Sequence, residues 1–163
     1  MASGDTLAIF TPACNEPEAT NYATLNTRNN HPTLDFDTTT AESAVFSFVL
    51  PRNYAGGGIT VYILWCAASA TSGTIGWTVE FERVDAGTLD IDADSYASAQ
   101  TVTAATVSGT SGVTSTTNVA VSNGANMDSI AVGELVRIRI KRDVANDNAT
   151  GDAQLVAVEL KET

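Results

Sequence analysis

The stretch 58–84, GITVYILWCAASATSGTIGWTVEFERV, constrains the fold more than any other part of the chain. Two runs in which apolar and polar residues alternate flank a loop of small residues, the pattern of a long antiparallel β-hairpin. In the second run Ile75, Trp77, Val79 and Phe81 point one way and Thr78, Glu80 and Glu82 the other, so one face is buried and one is wet. In the first run Ile59, Val61, Ile63 and Trp65 share a face, while Tyr62 and Leu64 occupy the other. That strand is apolar on both sides, which marks it as central or as part of an interface. The same period puts Trp65 and Trp77 in the core.

Alternation continues on either side. Phe46, Phe48 and Leu50 share a face until Pro51, which cannot donate to a ladder, and three glycines at 56–58 turn the chain. Short strands fit 100–107 and Ser115–Val121 across a turn at 109–112. Val136, Ile138 and Ile140 face inward against Arg137, Arg139 and Lys141, and Val156, Val158 and Leu160 repeat the pattern near the end. About eight strands, spaced about ten residues apart with no helix of ordinary length, predict an all-β, single-domain antiparallel β-sandwich of jelly-roll type over 43–163. Residues 1–42 are rich in Asn, Thr, Pro and Ala, with β-like pieces at Thr6–Phe10, Thr24–Arg28 and 34–36. They predict an extended N-terminal arm that wraps the domain edge or a neighbouring subunit. The candidate interface residues are Ile9, Phe10 and Tyr22 from the arm, with Tyr62 and Leu64 from the doubly apolar strand.

Charge narrows the partners. Eight Lys and Arg against nineteen Asp and Glu give a net charge of −11. Such a field opposes nucleic-acid phosphate and anionic lipid, so neither nucleic acid nor membrane is an expected partner. Cys14 and Cys66 are too few and too far apart for a disulfide framework, and both read as free thiols, Cys66 as a small buried hydrophobe. The N-terminus MASGDTLAIF lacks the basic and long apolar segments of a secretory signal, and no run reaches membrane-spanning length. Synthesis and folding in a cytosol are expected.

No catalytic or cofactor motif stands out, and no cofactor is expected. Asp90, Asp92 and Asp94 in LDIDADSYA match the first three ligand positions of an EF-hand loop, but Ser95 and Thr101 stand where Gly and Glu are needed. They are weak metal candidates beside the plainer reading of an acidic edge that discourages strand pairing. Asp143, Asp147 and Asp152 read as a polar turn. His31, the only histidine, sits in NNHPTL, which reads as a loop, and no nucleophile-elbow sequence supplies it with a partner. Glu80 and Glu82 lie side by side on a strand, where a solvated sheet surface is the expected environment rather than a pair of acids across a sugar. Tyr54 and Tyr96 fall in loops and are the aromatic candidates for stacking on a carbohydrate ligand.

The segments LPRNYAGGGITVYILWCAASATSGTIGWTVEFERV, LDIDADSYASAQTV, GELVRIRIKRD and TGDAQLVAVELKET together resemble small virion structural proteins of tailed bacteriophages. The resemblance covers about 43–163 and includes jelly-roll decoration, or cement, proteins and fibre-associated domains. It implies a sandwich fold, no enzymatic activity, self-association as a homotrimer, and binding to the major capsid protein on the virion surface after synthesis in the host cytoplasm. Two functions follow as expectations. The first is capsid decoration that stabilises the head. The alternative is a host-recognition or carbohydrate-binding module of a head fibre or tail.

Overall fold

The structure, a computed structural model, describes residues 2–163. It has ten strands rather than about eight: β1 (Thr6–Phe10), β2 (Thr24–Arg28), β3 (His31–Phe36), β4 (Ser43–Val49), β5 (Ile59–Ala67), β6 (Thr74–Val84), β7 (Gln100–Thr106), β8 (Ser115–Val121), β9 (Leu135–Arg142) and β10 (Ala153–Glu162). They form two antiparallel sheets packed as a sandwich. One runs β2-β3-β10-β5-β8, with β1 also on β10, and the other runs β4-β9-β6-β7.

The opening hairpin of the sequence is therefore split between layers: β5 lies in the six-stranded sheet and β6 in the four-stranded one. Their inward faces meet. Ile59, Val61, Ile63 and Trp65 are buried against Ile75, Trp77, Val79 and Phe81, and the Trp65 and Trp77 rings lie 6.5 Å apart. Phe36 packs edge-on against Trp77 at 5.0 Å, a geometry that sets a ring's positive edge on its neighbour's π face.

Residues 1–42 contribute strands to the larger sheet. β1 and β3 share one side of β10, β1 pairing from Val158 to Lys161 and β3 from Ala153 to Leu155. Phe10 stacks on Phe46 at 5.1 Å and is 6% exposed, so it belongs to the core and not to an outer interface as its place in an arm suggests. His31 likewise begins a strand instead of lying in a loop. Asn29 and Asn30, both at positive φ, close the β2–β3 hairpin, a conformation that asparagine tolerates better than most residues. Pro32 fits because β10 pairs only with 34–36 of β3, leaving the proline beyond that ladder.

Arg142 fastens the two layers. Its side chain is fully buried and forms a bidentate pair with Asp147 at 2.8 and 3.0 Å, while its remaining donors reach the carbonyls of Phe36, Ala149 and Gly151. The polar turn after β9 is thus built around one cation whose fork matches a carboxylate.

Candidate functional site

The outer face of the six-stranded sheet is the open surface of the molecule. Register places Ile9, Glu159, Tyr62 and Asn118 in one row across β1, β10, β5 and β8, with Ala157, Leu64 and Thr116 in the next. All of these but Asn118 line a cavity of about 320 Å³. Farther along β5, Cys66 shares that outward face because side chains alternate. It floors a larger cavity of about 570 Å³, with Thr33 and Val156, between the hairpin tip carrying Arg28, Asn29 and His31 and the 111–114 loop. Leu64 and Cys66 are successive outward residues, so the two cavities adjoin along β5. From Tyr62 to Cys66 the resulting groove follows the strand for roughly 13 Å at the rise of an extended chain.

Its chemistry is mixed. Asn29, Thr33, Ser111, Thr114 and Thr116 supply amides and hydroxyls, while Ile9, Tyr62, Leu64, Val113 and Val156 supply apolar surface. Lys161 places its ammonium 5.8 Å from the Tyr62 ring centroid and 3.6 Å from Glu159. The floor is fixed from below the rim: Gln154 Nε2 donates to Asp35 at 2.9 Å, and Arg28 Nη1 donates to Gln154 Oε1 at 2.8 Å and the Ala68 carbonyl at 2.9 Å. Burial pushes the Cys66 thiol up, which keeps it protonated and poorly nucleophilic.

The opposite outer face is closed. On the four-stranded sheet Glu80 stands across from Arg139 and Glu82 across from Arg137, each pair joined by an ion pair, 2.6 Å in the first case. Glu18 reaches Arg139 at 2.9 Å from the N-terminal segment. Tyr96 lies over both guanidiniums, 3.9 Å from Arg139 and 5.5 Å from Arg137. Glu80 and Glu82 are consequently buried, 8% and 6% exposed, and do not form the solvated surface that their alternation suggests. Burial raises the Glu82 carboxyl against the opposing pull of Arg137, and burial likewise pushes the Tyr96 phenol up.

The sequence candidates divide sharply. Ile9, Tyr62 and Leu64 meet in the groove, and Tyr22, 47% exposed, borders a separate notch with Pro12, Pro17 and Leu25. Tyr54 is not available to a ligand: it is 9% exposed, and its hydroxyl accepts from the Gly58 N–H at 2.8 Å. Tyr96 gives its ring to two arginines. Asp90 accepts from the Asp92 N–H and Asp94 from the Ser95 N–H, turn contacts that spread the carboxylates, and no group of three His, Cys, Asp or Glu that could hold a metal occurs among the described residues. The groove residues that sequence reasoning missed are Arg28, Asn29, Thr33 and the 111–114 loop. The Asn-Asn pair before His31 is the signal that could have found the hairpin presenting three of them.

No family model and no curated protein matches the sequence. Solved structures match the fold. A family 35 carbohydrate-binding module from an environmental isolate superposes with a TM-score of 0.55 at 11% identity, over 95% of this chain and 93% of that one. The xylan-binding module CBM15 gives 0.50 at 7% identity, over 96% and 97%. The Clostridium thermocellum xylanase 10B CBM22-1 and GH10 modules, complexed with xylohexaose, give 0.50 at 14% identity, over 99% of this chain and 28% of that one. This chain therefore has the jelly-roll sandwich fold found in carbohydrate-binding modules.

Proposed function

We propose that this chain is a non-catalytic carbohydrate-binding module and that the open face of the six-stranded sheet is its binding surface. The observation that carries the reading is the uncovered groove, whose two adjoining cavities combine short hydroxyl and amide side chains with an apolar strip centred on Tyr62. A sugar chain needs that combination. Its ring C–H faces pack on aromatic and aliphatic surface, and its hydroxyls take hydrogen bonds from fixed polar groups. The shared fold supports the reading. Capsid decoration, which rests on the sequence resemblance, ranks behind it.

Affinity electrophoresis in gels containing soluble xylan, mannan or mixed-linkage glucan tests the proposal. At least one polysaccharide should retard the wild-type protein, and Tyr62→Ala should migrate freely while unfolding at nearly the wild-type temperature. Free migration of the wild type in every gel, or undiminished retardation of Tyr62→Ala, contradicts the proposal.

A further inference from the structure

Asn123 and Gly124 form the single Asn-Gly pair of the chain, and they lie just beyond β8 with Asn123 exposed. Other asparagine side chains of this molecule are held in place. Asn26 Nδ2 donates to Asp35 at 2.7 Å, Asn146 Nδ2 to Asp143 at 2.8 Å and Asn126 Nδ2 to Ser122 Oγ at 3.0 Å, while Asn148 Oδ1 accepts from the Thr74 N–H at 2.7 Å. The Asn123 side-chain amide makes no hydrogen bond among the described residues, and the Gly124 N–H donates none. Gly124 is anchored through its carbonyl instead, which accepts from the Met127 and Ser129 N–H groups at 2.9 Å each. It has no Cβ to block approach to its nitrogen, and its φ of +104° is one that other residues rarely adopt.

We infer that Asn123 is a site of spontaneous deamidation, in which the Gly124 backbone nitrogen attacks the Asn123 side-chain carbonyl. The bond from Gly124 N to Asn123 Cγ forms, the Cγ–Nδ2 bond breaks, and Nδ2 leaves as ammonia with the proton that the Gly124 nitrogen gives up. Water then opens the succinimide ring. Cleavage of the N–Cγ bond leaves aspartate. Cleavage at the Asn123 backbone carbonyl leaves isoaspartate, whose main chain runs through Cβ and Cγ and is longer by one methylene. Solvent is the only co-reactant.

The surroundings suit an uncharged side chain on a main chain of ordinary length. No Asp, Glu, Lys or Arg occurs in 95–127. Asn123 Nδ2 lies over the β4–β5 turn, 3.7 Å from where a Gly56 Cβ would stand. In that turn the Ala55 N–H donates at 2.6 Å to Glu162 Oε1, and Glu162 Oε2 is buried without a partner. A carboxylate at 123 therefore adds like charge over the turn that holds a buried acid. Isoaspartate also disturbs packing. A Cβ on Gly58 would meet the Val121 carbonyl oxygen at 2.5 Å and the Asn123 nitrogen at 3.4 Å, so lengthening the chain there displaces either Gly58 or the end of β8.

Peptide mapping of the intact chain after incubation in mildly alkaline, ¹⁸O-labelled water tests the inference. The segment containing Asn123 should release ammonia and take up ¹⁸O faster than any other asparagine segment, and a protein isoaspartyl methyltransferase should methylate the product. Asn123→Gln keeps an amide but must close a larger ring. It should unfold at nearly the wild-type temperature and convert at least about tenfold more slowly, a barrier higher by about 1.4 kcal/mol. Once the two products are separated, the isoaspartyl form should unfold at a lower temperature than the aspartyl form, which Asn123→Asp should match. An Asn123 segment that stays unlabelled overturns the inference, as does faster conversion at another asparagine. An isoaspartyl form as stable as the wild type overturns the packing consequence.

Discussion

The two outer faces of this sandwich obey the same period-2 rule and end in opposite states. On the four-stranded sheet the outward residues of β6 and β9 are charged, and Glu80, Glu82, Arg137 and Arg139 pair across the ladder before Tyr96 and Glu18 close over them. On the six-stranded sheet the outward residues of β5 are Tyr62, Leu64 and Cys66, with small or hydroxylated neighbours; the β2–β3 hairpin tip and the 111–114 loop stand over Cys66, and the Tyr62 and Leu64 end borders an open cavity. Charge alternation on a strand therefore does not mark a solvated face, and apolar alternation does not mark a covered one. What decides is whether a neighbouring loop brings groups that satisfy the face.

The largest effect should come from the core that both faces share. Trp77→Ala removes a ring at 0% exposure that contacts Phe36 and Trp65, and it should lower stability by about 3–5 kcal/mol in urea unfolding. Arg139→Met should come next, at about 2–3 kcal/mol. It strands Glu80 and Glu18, although the arginine keeps 20% of its side chain in water, which places the cost below that of a fully buried pair. If the two faces divide labour, Arg139→Met leaves polysaccharide affinity unchanged. A matching loss of affinity would merge the faces into one functional unit.

Tyr62→Ala reverses that pattern, with about 1 kcal/mol lost from a partly buried residue and most of the glycan affinity gone. Paired measurement of unfolding and binding for Arg139→Met and Tyr62→Ala should place the two variants at opposite corners of a stability-against-affinity plot.

The crossover between the sheets should show in pH dependence. Hydrogen bonds from the Thr39 hydroxyl and from the Thr39 and Thr40 N–H groups hold the Asp37 carboxyl down at about 2. Its stabilisation is complete above the ordinary aspartate value of about 3.9 and is lost as pH falls toward 2. Burial raises Glu42 and Asp152, so protonating them favours the folded state as pH falls from neutral into the carboxylate range. The unfolding temperature of the wild type should rise on mild acidification and then fall. Glu42→Gln should flatten the rise, and Asp37→Asn should remove part of the fall.

Strand positions were largely legible because period 2 is a local property: Ile59–Ala67, Thr74–Val84 and Leu135–Arg142 fall where the alternation puts them. Tyr62 and Leu64 were legible as outward apolar residues for the same reason. What closes or opens a face was not. Tyr96 lies in a stretch without β periodicity, and its seat over Arg137 and Arg139 depends on residues far along the chain. Tyr54 does lie in a loop, but residue type alone does not show that its hydroxyl turns inward to accept the N–H of Gly58, only 4 residues on. Arg28 was passed over since its place depends on Ala68, Gly112 and Gln154, all far along the chain.

The most direct measurement is a ¹H–¹⁵N chemical-shift titration of the full chain with a xylo-oligosaccharide. Binding on the open face predicts the largest shifts at His31, Tyr62, Leu64, Thr116 and Ala157, with little movement at Glu80, Glu82, Arg137 and Arg139. Shifts centred on the charged face or on the 85–99 loop, or no shifts at all, would contradict it.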